Sequence, residues 1–292
     1  SAPPAQLRAG PQRARPAVLT LAGCAMGGLT APGVAKVTQI TSRRNPLLVR
    51  LRKLVDDGAS YRRLGVVLLE GEHLCAAWLA RPEAPVLHAI VSAAAWQEPR
   101  LRRLAQAAAE IAVVDGPTLA EIGTLESPAP IVFLVPTPER AVVGAGEPTL
   151  VLDRLQDPGN VGSVLRSAAA FGFTQAIALL GTAALWSPKV VRAGMGAHFG
   201  LRLVESVDDA ILAELDVPLF GTSSHASERL DGFPLPWPCA WVFGHEGQGV
   251  ADGVARRCQA MLAIPQPGGG ESLNVAAAAA VCLYETARQH GR

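Results

Sequence analysis

The sequence predicts an α/β protein whose larger, C-terminal part is a parallel sheet with helices on both faces. Three observations carry this. From residue 149 onward, short apolar runs of strand length alternate with amphipathic runs of helix length, the pattern of repeated β–α–β winding. Just upstream, residues 137–148 are rich in Pro and Gly and read as a linker. Before that linker, residues 37–136 form a smaller unit that also mixes strands with helices.

Residues 1–36 are rich in Pro, Ala, Gly and Arg without a sustained period, and a disordered extension is expected. Within them, Val18-Leu-Thr-Leu-Ala-Gly-Cys24 follows Arg13 and Arg15 and is similar to the end of a lipoprotein signal. Its apolar run is at the short limit for one, so the extension is preferred, with Met26 an alternative natural start. Order should begin near Val37. Asn45-Pro46 opens a helix with Leu47, Leu48, Leu51, Leu54 and Val55 on one face and Arg50, Arg52 and Lys53 on the other. Strands follow at 65–70, 86–91, 111–114 and 131–135, with helices from 72, at 99–110 and at 120–125. In the larger unit, 149–292, strands are expected at 149–153, 175–180, 201–204, 218–222, 239–243 and 261–264. Helices are expected at 161–171, 188–198, 207–215, 250–258 and 272–289.

The chain has 292 residues, 49% hydrophobic and 17% charged, enough for two domains with a large core. The net charge of +1 conceals an asymmetry: 16 Lys/Arg against 12 Asp/Glu in residues 1–150, and 10 against 13 in the rest. Between Lys36 and Arg63 the count is 8 basic to 2 acidic. That puts Arg43, Arg44, Arg50, Arg52 and Lys53 forward as contacts to a polyanion, though a solvated helix face accounts for them equally. The five cysteines include no CxxC pair and the six histidines no HxxxH pair, which argues against a metal and a disulfide framework and for a reducing cytoplasm. No apolar run spans a bilayer without interruption.

Three strand ends carry polar residues that plain turns do not require. After the first strand of the larger unit comes Asp157-Pro-Gly-Asn160-Val-Gly-Ser163-Val-Leu-Arg166, where Asn160 is placed to cap the next helix and Arg166 lies farther along it. After the fifth comes Phe243-Gly244-His245-Glu246-Gly247-Gln248-Gly249, a carboxylate between glycines. After the sixth comes Pro265-Gln-Pro-Gly-Gly-Gly-Glu271-Ser272-Leu273-Asn274-Val275. Its glycines bring bare backbone near a ligand, Ser272 is expected as the N-cap of the last helix, and Asn274 sits in the first turn. Ligands on parallel sheets bind at these carboxyl ends. The dinucleotide, P-loop and hydrolase signatures do not occur.

Together, Asn160-Val-Gly-Ser-Val-Leu-Arg166-Ser-Ala, Phe243-Gly-His-Glu246-Gly-Gln-Gly and Ile264-Pro…Glu271-Ser272-Leu273-Asn274-Val275 resemble the three ordered motifs of the SpoU/TrmH-type RNA 2′-O-ribose methyltransferases, of the SPOUT class. Val191-Arg-Ala-Gly-Met-Gly-Ala-His-Phe199 is similar to a further family segment. The match covers roughly residues 149–290, and the smaller unit more weakly resembles the family's substrate-binding domain, akin to small RNA-binding ribosomal proteins.

The resemblance implies S-adenosylmethionine as methyl donor, a homodimer, a C-terminal trefoil knot and an RNA substrate, ribosomal before transfer RNA. It assigns the cofactor to Thr222, Gly244, Ile264 and Leu273, the reaction to Asn160, Arg166, Glu246, Ser272 and Asn274, and RNA to the basic residues of the smaller unit. The family's motif-one Arg is usually described as base or activator. A guanidinium accepts a proton poorly, so Arg166 is read here as orienting the hydroxyl and stabilising the developing alkoxide, leaving the proton to a phosphate. The alternatives are a non-catalytic RNA-binding or assembly factor of this fold and a base methyltransferase of the same class. Binding of labelled S-adenosylmethionine separates the non-catalytic reading from the enzymes.

Overall fold

The computed structural model describes residues 35–125, 127–269 and 273–291. Residues 1–34, most of the expected extension, and Ser272, expected as helix cap and site residue, lie outside the described residues.

The smaller unit runs β1 (Lys36–Gln39), α1 (Pro46–Asp56), α2 (Tyr61–Leu64), β2 (Val66–Glu70), α3 (Glu72–Leu79), β3 (His88–Ser92), α4 (Ala93–Gln97), α5 (Pro99–Ala105), β4 (Glu110–Val114), α6 (Gly116–Ala120) and β5 (Ile131–Pro136). Asn45 starts α1 by accepting the backbone N–H of Leu47 at 2.9 Å, Pro46 supplies the pre-set first turn, and Leu48, Leu51 and Leu54 are buried at helical spacing. The helix expected at 120–125 instead lies at α6, because Asp115 caps it through the N–H of Thr118 at 2.7 Å and Pro117 pre-sets its first turn. The strands order as β1-β4-β3-β5-β2, with β1, β4 and β3 parallel and β5 antiparallel to both its neighbours.

The larger unit runs β6 (Thr149–Leu152), α7 (Pro158–Ala170), β7 (Gln175–Leu179), α8 (Pro188–Gly194), β8 (Arg202–Val207), β9 (Leu219–Thr222), β10 (Glu228–Arg229), β11 (Ala240–Phe243), α9 (Asp252–Ala255), β12 (Ala260–Ala263) and α10 (Val275–Gln289). All its strand pairs are parallel, in the order β10-β12-β9-β11-β6-β7-β8. The expected helix 188–198 breaks after Gly194, where Met195 (φ 50°) and Gly196 (φ 91°) are left-handed, and a 3-10 turn, Ala197–Phe199, follows. Residues 207–215 hold a 3-10 helix, Asp209–Glu214, rather than an α-helix, and α9 is shorter than expected. The two-residue β10 is too short for any periodicity to register.

Residues 35 onward pack as one compact unit, and one apolar core runs from Leu48 and Phe133 of the smaller sheet to Phe220 and Trp241 of the larger. Trp241 is fully buried, and its indole N–H donates to Thr286 Oγ1 at 2.9 Å, fixing α10 across β11. A buried indole needs such a partner, since an unsatisfied N–H costs about 1–3 kcal/mol. The linker is also held down: buried Gln175 accepts the N–H of Gly144 at 2.7 Å and donates to the Gly144 carbonyl at 3.2 Å and to Thr149 Oγ1 at 2.9 Å.

Candidate active site at the strand ends

Parallel pairing brings the carboxyl ends of β12, β9, β11 and β6 to one edge, side by side. The three polar constellations of the sequence arrive there on three different loops. Asp157, not Asn160, caps α7: its Oδ1 accepts the Asn160 N–H at 2.7 Å. Asn160 is thereby one turn inside the helix, its side chain free to reach across the sheet edge. Asn274, expected in the first turn, caps α10, with its Oδ1 accepting the N–H groups of Ala276 at 2.9 Å and Ala277 at 3.3 Å. Helix N–H groups can only donate, so the Asn274 oxygen must face them and its Nδ2 must point away.

That Nδ2 donates to Asn160 Oδ1 at 3.0 Å, and Asn160 Nδ2 donates to Glu246 Oε1 at 3.2 Å. The two amides form a row with a fixed sense, set by the α10 N–H groups at one end and a carboxylate at the other. Glu246 also accepts backbone N–H groups from Asp157 at 3.3 Å and Gln156 at 3.4 Å. Desolvation raises the Glu246 pKa, but its own backbone N–H, the Asn160 amide and the N–H groups of Asp157 and Gln156 outweigh it, so the carboxyl lies below its ordinary range. Residues from all three motifs thus share one network.

The loop bearing Glu246 is tightly closed. His245 and Gly249 exchange backbone hydrogen bonds of 3.0 and 2.8 Å, and His245 Nδ1 accepts the N–H groups of Gly247 at 3.0 Å and Gln248 at 3.3 Å. A Cβ at Gly244 would lie 2.2 Å from both the Gly249 carbonyl carbon and the Val250 nitrogen, so only glycine fits there without moving backbone. Arg154, in a left-handed conformation (φ 60°), holds the loop from the β6 side. It donates to Gln248 Oε1 at 2.9 Å and the Gly249 carbonyl at 3.2 Å, while pairing with buried Asp153 at 2.9 Å. Neither Arg154 nor His245 is marked by the sequence as a support of the loop. The Asp153-Arg154 and His245-Glu246 neighbours were visible in it, but neither a positive φ nor a loop-spanning bond has a periodicity to read.

Beside this network lies a cavity of about 880 Å³. Thr222, Gly244, Ile264 and Leu273, the four expected cofactor residues, all line it, as do Glu246 and Asn274. Asn160 is joined to that lining by its two hydrogen bonds. Arg166 stands exposed on α7 with no ion pair to a described residue. Among the described residues no group of three or more His, Cys, Asp or Glu is arranged to hold a metal, and no helix is long and apolar enough to cross a membrane.

The basic residues of the smaller unit are not equivalent. Arg50 donates to the Leu64 carbonyl at 2.7 Å, and Arg43 and Arg52 share Glu121 at 3.0 and 3.1 Å. Arg44 and Lys53 are exposed and carry no ion pair to a described residue.

Residues 147–284 match the SpoU rRNA Methylase family. Over 272 residues the chain is 34% identical to an uncharacterized tRNA/rRNA methyltransferase of Synechocystis sp., covering 88% of this chain and 96% of that one. It is 29% identical over 250 residues to the 23S rRNA (guanosine(2553)-2′-O)-methyltransferase RlmP of Bacillus subtilis, covering 84% and 98%. Among solved structures, the SpoU methyltransferase AviRb from Streptomyces viridochromogenes in complex with AdoMet aligns with a TM-score of 0.77 at 26% identity, covering 85% of this chain and 98% of that chain. With its parallel sheet, its three motifs gathered at one edge and these likenesses along nearly all the described chain, the protein belongs to the SpoU rRNA methylase family.

Proposed function

We propose that the protein transfers a methyl group from S-adenosylmethionine to a ribose 2′-hydroxyl of RNA, ribosomal RNA before transfer RNA. The observation that carries this is the hydrogen-bonded row Asn274–Asn160–Glu246 at the rim of the cavity lined by Thr222, Gly244, Ile264 and Leu273. The same row argues against a non-catalytic factor, which has no use for three polar loops joined in this way. The names of the 23S rRNA 2′-O-methyltransferase relatives favour ribose over base.

The cavity fits the cofactor: it is roomy, it offers backbone at Gly244 where a side chain cannot stand, and it sets an ionised Glu246 near a cationic ligand. Thr222, Gly244, Ile264 and Leu273 would hold it. Bound S-adenosylmethionine supplies an activated methyl group, so the protein's main contribution is to position the hydroxyl. Arg166, exposed and without an ion pair among the described residues, grips the incoming ribose-phosphate and stabilises the alkoxide as it forms. Asn160 and Asn274 fix the rim by which that hydroxyl enters, and Glu246 holds Asn160 in one orientation. The role assigned to Ser272 rests on the motif match alone.

The smaller unit, 37–136, is the RNA-binding part of this proposal, with Arg44 and Lys53 foremost because Arg43, Arg50 and Arg52 already have partners within the fold. A homodimer belongs to it too. Val281 and Tyr284 are 41% and 53% exposed on the outer face of α10, and Phe171 packs edge-on against Tyr284 at 5.7 Å, an apolar strip suited to a second copy. The trefoil knot is supported by β12, last strand in sequence, lying inside the sheet between β9 and β10. A cytoplasmic location follows from the substrate. The test is transfer of labelled methyl from S-adenosylmethionine to rRNA from cells lacking the gene. The reading predicts label in RNA and loss of it on Arg166→Ala; cofactor binding without transfer would refute it.

A further inference from the structure

The segment 191–199 that follows the first motif has no part in the chemistry above, yet it is one place where the two sheets are joined. Arg192, in the last turn of α8, reaches into the smaller unit and donates through Nη1 to the Thr124 carbonyl at 2.6 Å and to Thr124 Oγ1 at 2.8 Å. Thr124 in turn gives its hydroxyl to Glu70 Oε2 at 2.6 Å and its backbone N–H to the same carboxylate at 2.9 and 3.1 Å. Glu70, 5% exposed, has no ion-pair partner among the described residues. A buried carboxylate persists only where it is well hydrogen-bonded, so the Thr124 turn is fixed to β2 on one side and to Arg192 on the other.

On its other side α8 is pressed against α7. A Cβ at Gly162 would lie 2.4 Å from Ala193 Cβ, 2.6 Å from the Val190 carbonyl and 2.8 Å from the Gly194 nitrogen. Gly162 stands between Asn160 and Arg166. A displacement of Arg192 is therefore passed to α7 through hard backbone contact. A second polar tie among the described residues, Glu205 with Tyr61 and Arg62, reaches the larger sheet at its edge strand β8, where Glu205 also accepts the N–H of Leu185 at 3.1 Å.

We propose that Arg192 is a positioning residue: it locks the Thr124 turn of the RNA-binding unit to the helix on which α7 rests, and so sets where bound RNA meets Asn160 and Arg166. This rests on the methyltransferase reading. Misplacing reacting groups by about an ångström costs up to about a hundredfold in rate. The experiment compares wild type, Arg192→Met, Arg192→Lys and Thr124→Val in single-turnover methylation of rRNA from gene-deleted cells, at saturating RNA and cofactor, beside equilibrium binding of both. Arg192→Met should lose at least about tenfold in rate with both affinities within about twofold of wild type. Arg192→Lys should recover most of the loss, because one nitrogen makes both bonds to Thr124. If Arg192→Met does not fold, Thr124→Val, which keeps the carbonyl and the volume, should show the same rate loss. A wild-type rate in Arg192→Met or in Thr124→Val, a loss matched by weaker cofactor binding, or no recovery with Lys overturns the inference. A wild type that transfers no methyl group takes down the methyltransferase reading itself, and this inference with it.

Discussion

Asn274→Asp separates two jobs that one side chain does. The Asn274 oxygen caps α10 and its Nδ2 holds Asn160. An Asp keeps the capping oxygen and puts a second oxygen in place of Nδ2, so the N–H groups of Ala276 and Ala277 stay satisfied, and a negative charge at a helix N-terminus adds about 0.3–1 kcal/mol. The donor to Asn160 is lost, at about 1 kcal/mol. These nearly cancel, so melting should scarcely move. Asn274→Ala, by contrast, loses both the cap and that donor, about 2 kcal/mol together, and should melt about 4–8 °C lower. Catalysis should respond in the other order. With Asp at 274, Asn160 stands between two carboxylates, Glu246 on one side and the new one on the other. Its amide can no longer accept from one neighbour while donating to the other. The lost bond alone is worth roughly fivefold in rate, approaching about a hundredfold if the row is preorganised for the transition state. The assay is a thermal melt beside single-turnover transfer at saturating cofactor. A wild-type rate in Asn274→Asp, or melting as low as Asn274→Ala, would refute the directional row.

Arg166→Ala should leave cofactor affinity nearly intact while single-turnover transfer falls about a hundredfold, with little rescue by Lys because a point charge cannot replace the planar fork; a near-normal rate would show the residue to be idle. Gly244→Ala should weaken equilibrium cofactor binding at least about tenfold, since a Cβ 2.2 Å from the Gly249 and Val250 backbone must open the loop, and unchanged affinity would place the cofactor elsewhere. Exchanging Arg44 and Lys53 for Gln should reduce the slope of log affinity for RNA against log salt by about one to two, whereas an unchanged slope would make them a solvated face. Burial lowers the His198 pKa from 6.5 to about 4. The unfolded chain therefore takes up the proton first as pH falls. Stability is full above about pH 6.5 and drops by about 3 kcal/mol by about pH 4. Denaturant melts across that window should show the fall in wild type and a flatter profile in His198→Phe; equal slopes would contradict it.

The strands of the larger unit were legible because parallel strands buried on both faces read as short apolar runs: Val151, Ile177 and Val242 are all fully buried. The site was legible as three polar strand ends, and their juxtaposition follows once the sheet is parallel. Caps were less legible. Asp157 and Asn160 are both good capping residues three positions apart, and backbone geometry rather than residue preference decides which one caps. The join through Arg192, Thr124 and Glu70 spans residues far apart in sequence, with no local period to disclose it.

The acceptor in this reaction is a ribose 2′-hydroxyl. This is tested most directly by labelling rRNA from gene-deleted cells with the protein and methyl-labelled S-adenosylmethionine, then hydrolysing the RNA in alkali, which cleaves only next to a free 2′-hydroxyl. Methylation of the 2′-hydroxyl leaves label in alkali-resistant dinucleotides, and Arg166→Ala leaves none. Label released wholly in mononucleotides would mean methylation of a base, and would contradict a ribose acceptor.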